Sequence, residues 1–262
     1  RRKQRERKRE RDRDVAGPQQ TSKTTGAYPQ QEVDAAIERL RSDQYNLDDW
    51  NIITTEAKVR PIAQARDLYE LFLTTFPTAG ATWRLYAERE LQAGNLEEVK
   101  AIFARCLLRC PNVDLWKSYL KYVQKTQDKK EVQQAFEFTL EQLGMDMNAT
   151  SIWQDYVSVL KTAKGEDGEM RDDAVTVTQV RRAYQQAIVI PMHNTELLWK
   201  EWEQYENAID KTLAKRLFEE YKPKHAAAKQ VYRQRKRHWE NIQMGVLALP
   251  PGTLPIQETQ FE

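Results

Sequence analysis

The chain has 262 residues and a formal net charge of +2, and its composition is 40% apolar and 31% charged, which allows a folded core. It contains 9 glycines, 10 prolines and two cysteines, which exclude a collagen-like repeat, a glycine- and proline-rich disordered chain and a disulfide framework. The longest apolar run, near 246–249, is far shorter than the roughly 20 residues that a membrane-spanning helix needs.

Charge is concentrated at the two ends of the chain. Residues 1–14 carry nine basic and four acidic side chains, residues 222–239 carry seven basic side chains and no acidic one, and residues 240–262 carry three acids. The remaining residues, 15–221, therefore have a net charge of −7. A general attraction to nucleic-acid phosphates is not expected of this acidic body, and only the ends could provide a basic surface.

The first 31 residues are predicted to lie outside the folded part. Residues 1–14 contain no apolar side chain, so they cannot bury surface. We expect them to form a flexible arm, either a solvated tail or a segment for nuclear import or RNA contact, and we interpret 15–31 as a linker. Because the chain does not begin with Met, we also expect it to be a fragment of a longer protein.

A helix-pair pattern recurs five times over residues 32–240. Successive tryptophans are separated by 33, 33, 37 and 46 residues, and a second large side chain follows each Trp by three residues, on the same helical face. A second motif ends with an apolar residue followed by an aromatic one. This aromatic residue lies 19 or 20 residues after four of the tryptophans and 31 residues after the other. That longer interval contains the polar segment 163–176, which we predict to be a loop. The side chains that define the repeat are Trp50, Tyr69, Trp83, Tyr86, Phe103, Trp116, Tyr119, Phe136, Trp153, Tyr156, Tyr184, Trp199, Trp202 and Phe218.

Proline and glycine predict where the second helix of each pair ends. Proline lacks an N–H donor and clashes with the preceding turn, and glycine tolerates the left-handed conformation that often follows a helix. A further copy of the second motif at 228–232 is interpreted as a separate terminal helix, and 241–262 as an extended, proline-containing tail. The predicted helix-ending residues are Pro77, Pro111, Gly144, Pro191 and Pro223.

One such pair cannot bury its apolar stripe alone, but stacked pairs can. The sequence therefore predicts an all-α fold, an α-solenoid of antiparallel helix pairs. The combination of W-x-x-Y in the first helix with [AV]-[RK]-x-[LI]-[YF] in the second resembles the half-a-TPR, or HAT, repeat over about residues 45–240. This resemblance implies a TPR-like, right-handed superhelix.

Longer stretches are similar to one HAT family in particular, that of the seventy-seven-kilodalton subunit of cleavage stimulation factor and its fungal counterpart in cleavage factor IA. The similar stretches are RCLLRCPNVDLWKSYLKYV (105–123), IWQDYVSVLK (152–161), 191–216 and LALPPGTLPIQETQ (247–260). The resemblance implies a nuclear scaffold of pre-mRNA 3′-end cleavage and polyadenylation, whose first HAT half faces the cleavage and polyadenylation specificity complex. It also implies that the full-length protein forms a homodimer through a second HAT half, which this chain would lack. A HAT scaffold of splicing or ribosomal-RNA processing is an alternative.

No catalytic, cofactor-binding or metal site is predicted. The three histidines, His193, His225 and His238, fit no metal-binding or catalytic spacing. Cys106 and Cys110 lie one turn apart on an apolar helix face, where two small buried residues are a better interpretation than half of a metal or redox pair.

The basic stretch near the end of the chain is the candidate binding site. Tyr221, Tyr232 and Trp239 alternate with its cations, a composition that could bind single-stranded RNA by base stacking and phosphate contact. A solvated helix face or a surface for an acidic partner are the alternatives. The candidate contact residues are Lys222, Lys229, Arg233, Arg235, Lys236 and Arg237.

Overall fold

A computed structural model describes residues 26–162 and 174–240, together with residues 242 and 247. Every regular element in this part of the chain is an α-helix. The predicted arm at 1–14, most of the linker, residues 163–173 of the predicted loop and most of the predicted tail lie outside the described residues. The helices are α1 Gln30–Ser42, α2 Leu47–Val59, α3 Ile62–Thr75, α4 Gly80–Gln92, α5 Leu96–Cys106, α6 Val113–Thr126, α7 Lys129–Leu143, α8 Thr150–Thr162, α9 Ala174–Ala187, α10 Thr195–Ile209 and α11 Lys211–Trp239.

The chain divides into two compact units, one ending at Phe72 and the other beginning at Leu73. In the first unit α1 packs against α2, and the rings of Trp50 and Phe72 meet edge to face at 5.4 Å between α2 and α3. Helix α1 was not part of the predicted repeat, and it begins inside the segment interpreted as a linker. Its buried side chains are Val33, Ala36 and Leu40, whose spacing of three and four residues is a helical signal in the sequence.

In the second unit consecutive helices pack against each other from α6 to α11, as do α4 and α5. Helix α4 also packs against α6, and α8 against α10, so the first helices of neighbouring pairs are in contact. Contacts between alternate helices are what stacked helix pairs produce. The prediction of an all-α fold built from helix pairs is therefore confirmed.

One hydrogen bond recurs in four of the pairs. The Trp at the fourth position of the first helix donates its indole N–H to a backbone carbonyl in the turn before that helix. The bond gives the carbonyl a buried partner and fixes the path of the chain as it enters the helix. The bonds run from Trp50 to Gln44 (2.8 Å), from Trp83 to Pro77 (2.8 Å), from Trp116 to Cys110 (3.2 Å) and from Trp153 to Gly144 (3.0 Å).

Two glycines serve the turns in different ways. Gly94, between α4 and α5, has a φ of 80°, the left-handed region that glycine adopts without steric cost. Helix α7 ends at Leu143, so the predicted helix end at Gly144 is confirmed, but Gly144 has a φ of −60° and is not left-handed. Glycine is needed at this position for space, because a Cβ would collide with the carbonyl oxygen of Leu140 and lie 3.3 Å from the ring of Trp153.

Helix α11 passes through Pro223 without ending, so the predictions of a helix end there and of a separate helix at 228–232 are both wrong. A proline inside a helix costs about 3 kcal/mol or more. Contacts beyond the proline offset this cost, since His225 and Ala228 are buried and Lys229 forms an ion pair with Glu196 at 2.8 Å. Local chemistry favoured a break here, and packing against α9 and α10 outweighed it.

Helix α9 begins at Ala174, inside the segment 163–176 that was predicted to be a loop. Thr176 is buried, so the first turn of α9 is part of the packed structure. The loop prediction is therefore wrong for its last three residues.

Candidate functional site

In the fifth helix pair, α10 and α11, the Trp lies one residue later in the first helix than it does in the other four pairs. The fourth position of α10 is Leu198, which is fully buried, and Trp199 is fifth. Trp199 is consequently half-buried, and its indole N–H donates to Glu203 Oε1 at 2.6 Å instead of to a backbone carbonyl. Trp202, one turn of helix further on, is fully buried. The shift places one large indole at the edge of the core.

A groove lies between α10 and α11, and Trp199 is part of its floor. The groove has a volume of about 1060 Å³ and is also lined by Phe218 and His225. The rings of Trp199 and His225 stack at 4.8 Å. Asp210 is the only residue between the two helices, and its carboxylate accepts the backbone N–H of Thr212 at 2.7 Å. This single-residue turn holds the two walls of the α10–α11 groove together.

A row of cations follows the groove along α11. Its members recur at intervals of four, seven, seven and four residues, which places them on one face of the helix. We call these residues the basic row: Lys211, Lys215, Lys222, Lys229 and Arg233.

The facing wall, α10, adds Lys200, Glu196 and Glu203, and α11 adds Glu219. Six cations and three carboxylates therefore line the groove, a net charge of +3. Two of the carboxylates already have partners, because Glu196 pairs with Lys229 at 2.8 Å and Glu203 accepts the indole N–H of Trp199. The groove therefore presents an excess of positive charge above an aromatic floor.

The six candidate contact residues all lie on α11, but only three of them line the groove: Lys222, Lys229 and Arg233. Lys236 is 3.4 Å from Glu240. Arg235 and Arg237 are exposed outside the groove lining, and helical spacing places Arg235 on the opposite face from the basic row.

Sequence reasoning missed Lys200, Lys211 and Lys215 as groove residues. The sequence did indicate Lys211 and Lys215, since the helical spacing of cations continues from Lys211 to Arg233. The predicted helix end at Pro223 divided that row in two, so its continuity was overlooked. Lys200 belongs to another helix, and only the packing of α10 against α11 brings it to the groove.

The aromatic residues of the basic stretch do not line the groove with the basic row. The Tyr232 hydroxyl forms a hydrogen bond of 2.6 Å with His193 Nδ1. The ring of Tyr221 packs edge to face on Trp202 at 5.5 Å and lies under the ammonium group of Lys224 at 4.3 Å. Aromatic and basic residues therefore alternate in the sequence, but these aromatic residues do not lie alongside the basic row in the structure.

The remaining repeat-defining aromatics lie in or beside the core. Tyr119 and Tyr156 are half-buried and each contacts an aromatic ring of the preceding pair, Phe103 at 5.5 Å and Phe136 at 6.1 Å. Burial raises the pKa of both tyrosines. Trp199 and Phe218 are half-buried in the groove. The fully or largely buried members are Trp50, Tyr69, Trp83, Tyr86, Phe103, Trp116, Phe136, Trp153, Tyr184 and Trp202.

An ion pair with a buried carboxylate joins α9 to α10. Arg181 donates two hydrogen bonds to the Glu206 carboxylate, at 2.8 and 2.7 Å, and Trp202 donates a third at 3.1 Å. The hydrogen bond to Glu206 raises the pKa of the Arg181 guanidinium, so the pair stays charged. This bidentate contact fixes the orientation of the fourth helix pair relative to the fifth, because both carboxylate oxygens accept hydrogen bonds.

The polar groups that sequence analysis considered for chemistry have structural contacts. Burial raises the pKa of the Cys106 thiol to about 12, and Cys110 Sγ donates to the Thr78 carbonyl at 3.3 Å. His225 Nδ1 is 2.8 Å from the carbonyl oxygen of Ile188, and His193 contacts Tyr232. Among the described residues no group of three or more His, Cys, Asp or Glu side chains is placed to hold a metal ion. Over the same residues, no helix has both the length and the apolar character of a membrane span.

The paired helices define an α-helical repeat protein, a class whose surfaces serve binding. A family model described as Suppressor of forked protein matches residues 31–262, and the chain belongs to that family. The family recognised from the sequence is thereby confirmed.

Two relatives show how far the similarity extends. The chain is 37% identical over 226 residues to cleavage stimulation factor subunit 77 of Arabidopsis thaliana, covering 84% of this chain and 30% of that protein. It is 34% identical over 223 residues to the protein suppressor of forked of Drosophila melanogaster, covering 83% of this chain and 29% of that one. The chain thus spans less than a third of the length of these relatives.

A solved structure supports the fold. The crystal structure of CstF-77 matches with a TM-score of 0.54 and 23% sequence identity, over 63% of this chain and 35% of that one. The similarity shows that the helix-pair architecture is shared.

Proposed function

We propose that this chain is a docking segment of a nuclear scaffold in pre-mRNA 3′-end cleavage and polyadenylation. The observation that carries the proposal is the 37% identity to cleavage stimulation factor subunit 77 over most of the chain. A relative from Neurospora crassa, 34% identical over 203 residues, is named mRNA 3′-end-processing protein rna-14. Relatives from a plant and a fungus thus carry names from the same process.

The physical role of the chain is to hold binding surfaces at fixed positions. Aromatic contacts between neighbouring pairs and the buried Arg181–Glu206 bridge resist sliding of one pair on the next. Rigid elements bind with a smaller loss of conformational entropy than flexible ones do. In this proposal the partners are other subunits of the cleavage and polyadenylation machinery, and the role is non-enzymatic. The full-length protein is proposed to dimerise through residues outside this chain.

Co-purification tests the proposal. The tagged chain, incubated with nuclear extract, is expected to retain subunits of the cleavage and polyadenylation specificity complex. A control with the same tag on an unrelated helical-repeat protein measures background. Retention of spliceosomal or ribosomal-RNA-processing proteins, with no 3′-end-processing factor above background, would contradict the proposal and favour the alternative HAT scaffold.

Direct RNA binding is a second candidate, and the basic row is the observation that favours it. Its five cations would contact phosphates, and affinity would fall steeply as salt concentration rises. Base stacking is the other contact that single-stranded RNA sites use, and the aromatic residues of the basic stretch, Tyr221, Tyr232 and Trp239, do not line the same groove. We therefore place RNA binding second.

A further inference from the structure

We propose that the α10–α11 groove binds an acidic peptide segment of a partner protein in extended conformation. The inference rests on the proposed docking function and names the chemistry of one partner. Three features of the groove carry it: its charge, its aromatic floor and its length.

Most of the cations that line the groove have no ion-pair partner in the part of the chain that the structure describes. Over the described residues, no ion pair is formed by five of the lining cations, Lys200, Lys211, Lys215, Lys222 and Arg233. Residues 15–221 have a net charge of −7 even though they include Lys200, Lys211 and Lys215, so the chain itself has many carboxylates. Carboxylates of a partner would complement the five cations, and charge complementarity of this kind sets specificity and association rate.

The floor of the groove provides apolar contact between the charged walls. Phe218 and Trp199 are both half-buried, and Ala226 lies beside them. A segment with apolar as well as acidic residues would therefore contact both the aromatic floor and the basic row of the groove. Aromatic side chains are common anchors of binding energy at protein interfaces.

The length of the basic row sets the length of the bound segment. From Lys211 to Arg233 the helix rises about 33 Å, at about 1.5 Å per residue. An extended chain covers about 3.3 Å per residue, so about ten residues match the row. A short linear segment can therefore span the whole basic row, and no large folded interface is needed.

The groove fits a peptide better than it fits RNA. One face of the Trp199 ring stacks on His225, and Trp202 and Phe218 pack against the same ring at 5.3 and 6.1 Å. This indole therefore already has three ring neighbours, with which a stacking base would have to compete.

Fluorescence anisotropy with three labelled probes tests the inference. The first is a peptide of about ten residues that alternates Glu and Leu, the second has Gln in place of Glu, and the third is a single-stranded oligouridylate of similar length. The double variant Lys215→Glu/Lys222→Glu changes the basic row. The matched control, Lys224→Glu/Arg235→Glu, makes the same change of charge on the opposite face of α11.

The acidic peptide is expected to bind, to bind less well at high salt and to bind at least about tenfold less well to the groove variant. The control is expected to change affinity by less than about twofold. All four substituted side chains are exposed, and thermal unfolding of both variants verifies that the fold is intact.

Four outcomes would overturn the inference: no binding of the acidic peptide, equal binding of the Gln peptide, equal losses in both variants, or tighter binding of oligouridylate that is lost in the groove variant. Co-purification with processing factors is scored separately. If factors co-purify and the peptide does not bind, only the groove inference fails. If the peptide binds and no processing factor co-purifies, only the proposed function fails.

Discussion

Replacing Trp116 by Ala removes the indole from the interior of the third helix pair. The side chain is 1% exposed, its N–H bonds to the Cys110 carbonyl at 3.2 Å, and its ring contacts Phe138 at 5.6 Å. Truncation of a large core side chain costs about 3–5 kcal/mol. For a protein of this size that corresponds to a fall in Tm of about 6–20 °C. Trp116→Phe keeps a ring but removes one of the two donors to the Cys110 carbonyl, which retains the Asn112 N–H at 2.8 Å, so we expect a loss of about 0.5–1.5 kcal/mol.

Urea unfolding followed by far-UV circular dichroism measures these losses. The matched control is Trp239→Ala, because Trp239 is 41% exposed at the end of α11 and its truncation is expected to change stability by less than about 0.5 kcal/mol. If Trp116→Ala is no more destabilising than Trp239→Ala, the indole does not hold the pair together. If Trp116→Phe matches wild type, the recurring indole–carbonyl bond contributes nothing to stability.

Two further predictions concern titratable groups. Burial alone would raise the pKa of Glu56, but hydrogen bonds from Arg60, Tyr28 and Ala27 outweigh it, and the pKa lies below its usual 4.5. The stability that ionised Glu56 contributes is therefore complete above about pH 4.5 and lost as the pH falls through the lowered pKa, so Glu56→Gln should approach wild type in acid. A constant difference in unfolding free energy at every pH would contradict this. Because burial raises the pKa of Cys106 to about 12, iodoacetamide should modify this thiol slowly at about pH 8 in native protein and quickly in urea, and equal rates would show that it is accessible.

Local pattern was sufficient for most of the helical architecture. The recurrence of Trp with a large side chain three residues later marks one face of a helix. Both side chains are buried in α2 and α4, whereas in α6 and α8 the Trp is buried and the tyrosine after it is half-buried. The turn at Gly94 was likewise readable, because glycine is the residue that accepts a positive φ. These features depend on residues close together in the chain.

Predictions went wrong where distant contacts compete with local chemistry. Pro223 is unfavourable inside a helix, yet α11 stays continuous because His225 contacts the Ile188 carbonyl, just after α9, and Lys229 pairs with Glu196 in α10. Gly144 is required because the ring of Trp153 and the preceding turn come close to it, and not by its own dihedral angles. Neither contact can be read from the neighbouring sequence.

The amino-acid sequence by itself determined the helix pairs, the family and the concentration of positive charge near the end of the chain, since each depends on residue type and spacing. Only the tertiary structure decided that Lys200 faces the basic row, that Trp199 lies on the floor of the groove and that Tyr221 and Tyr232 point elsewhere. The physical reason is that a binding surface is made by side chains from two helices. Their packing, shifted by one residue in the fifth pair, sets which of those side chains meet.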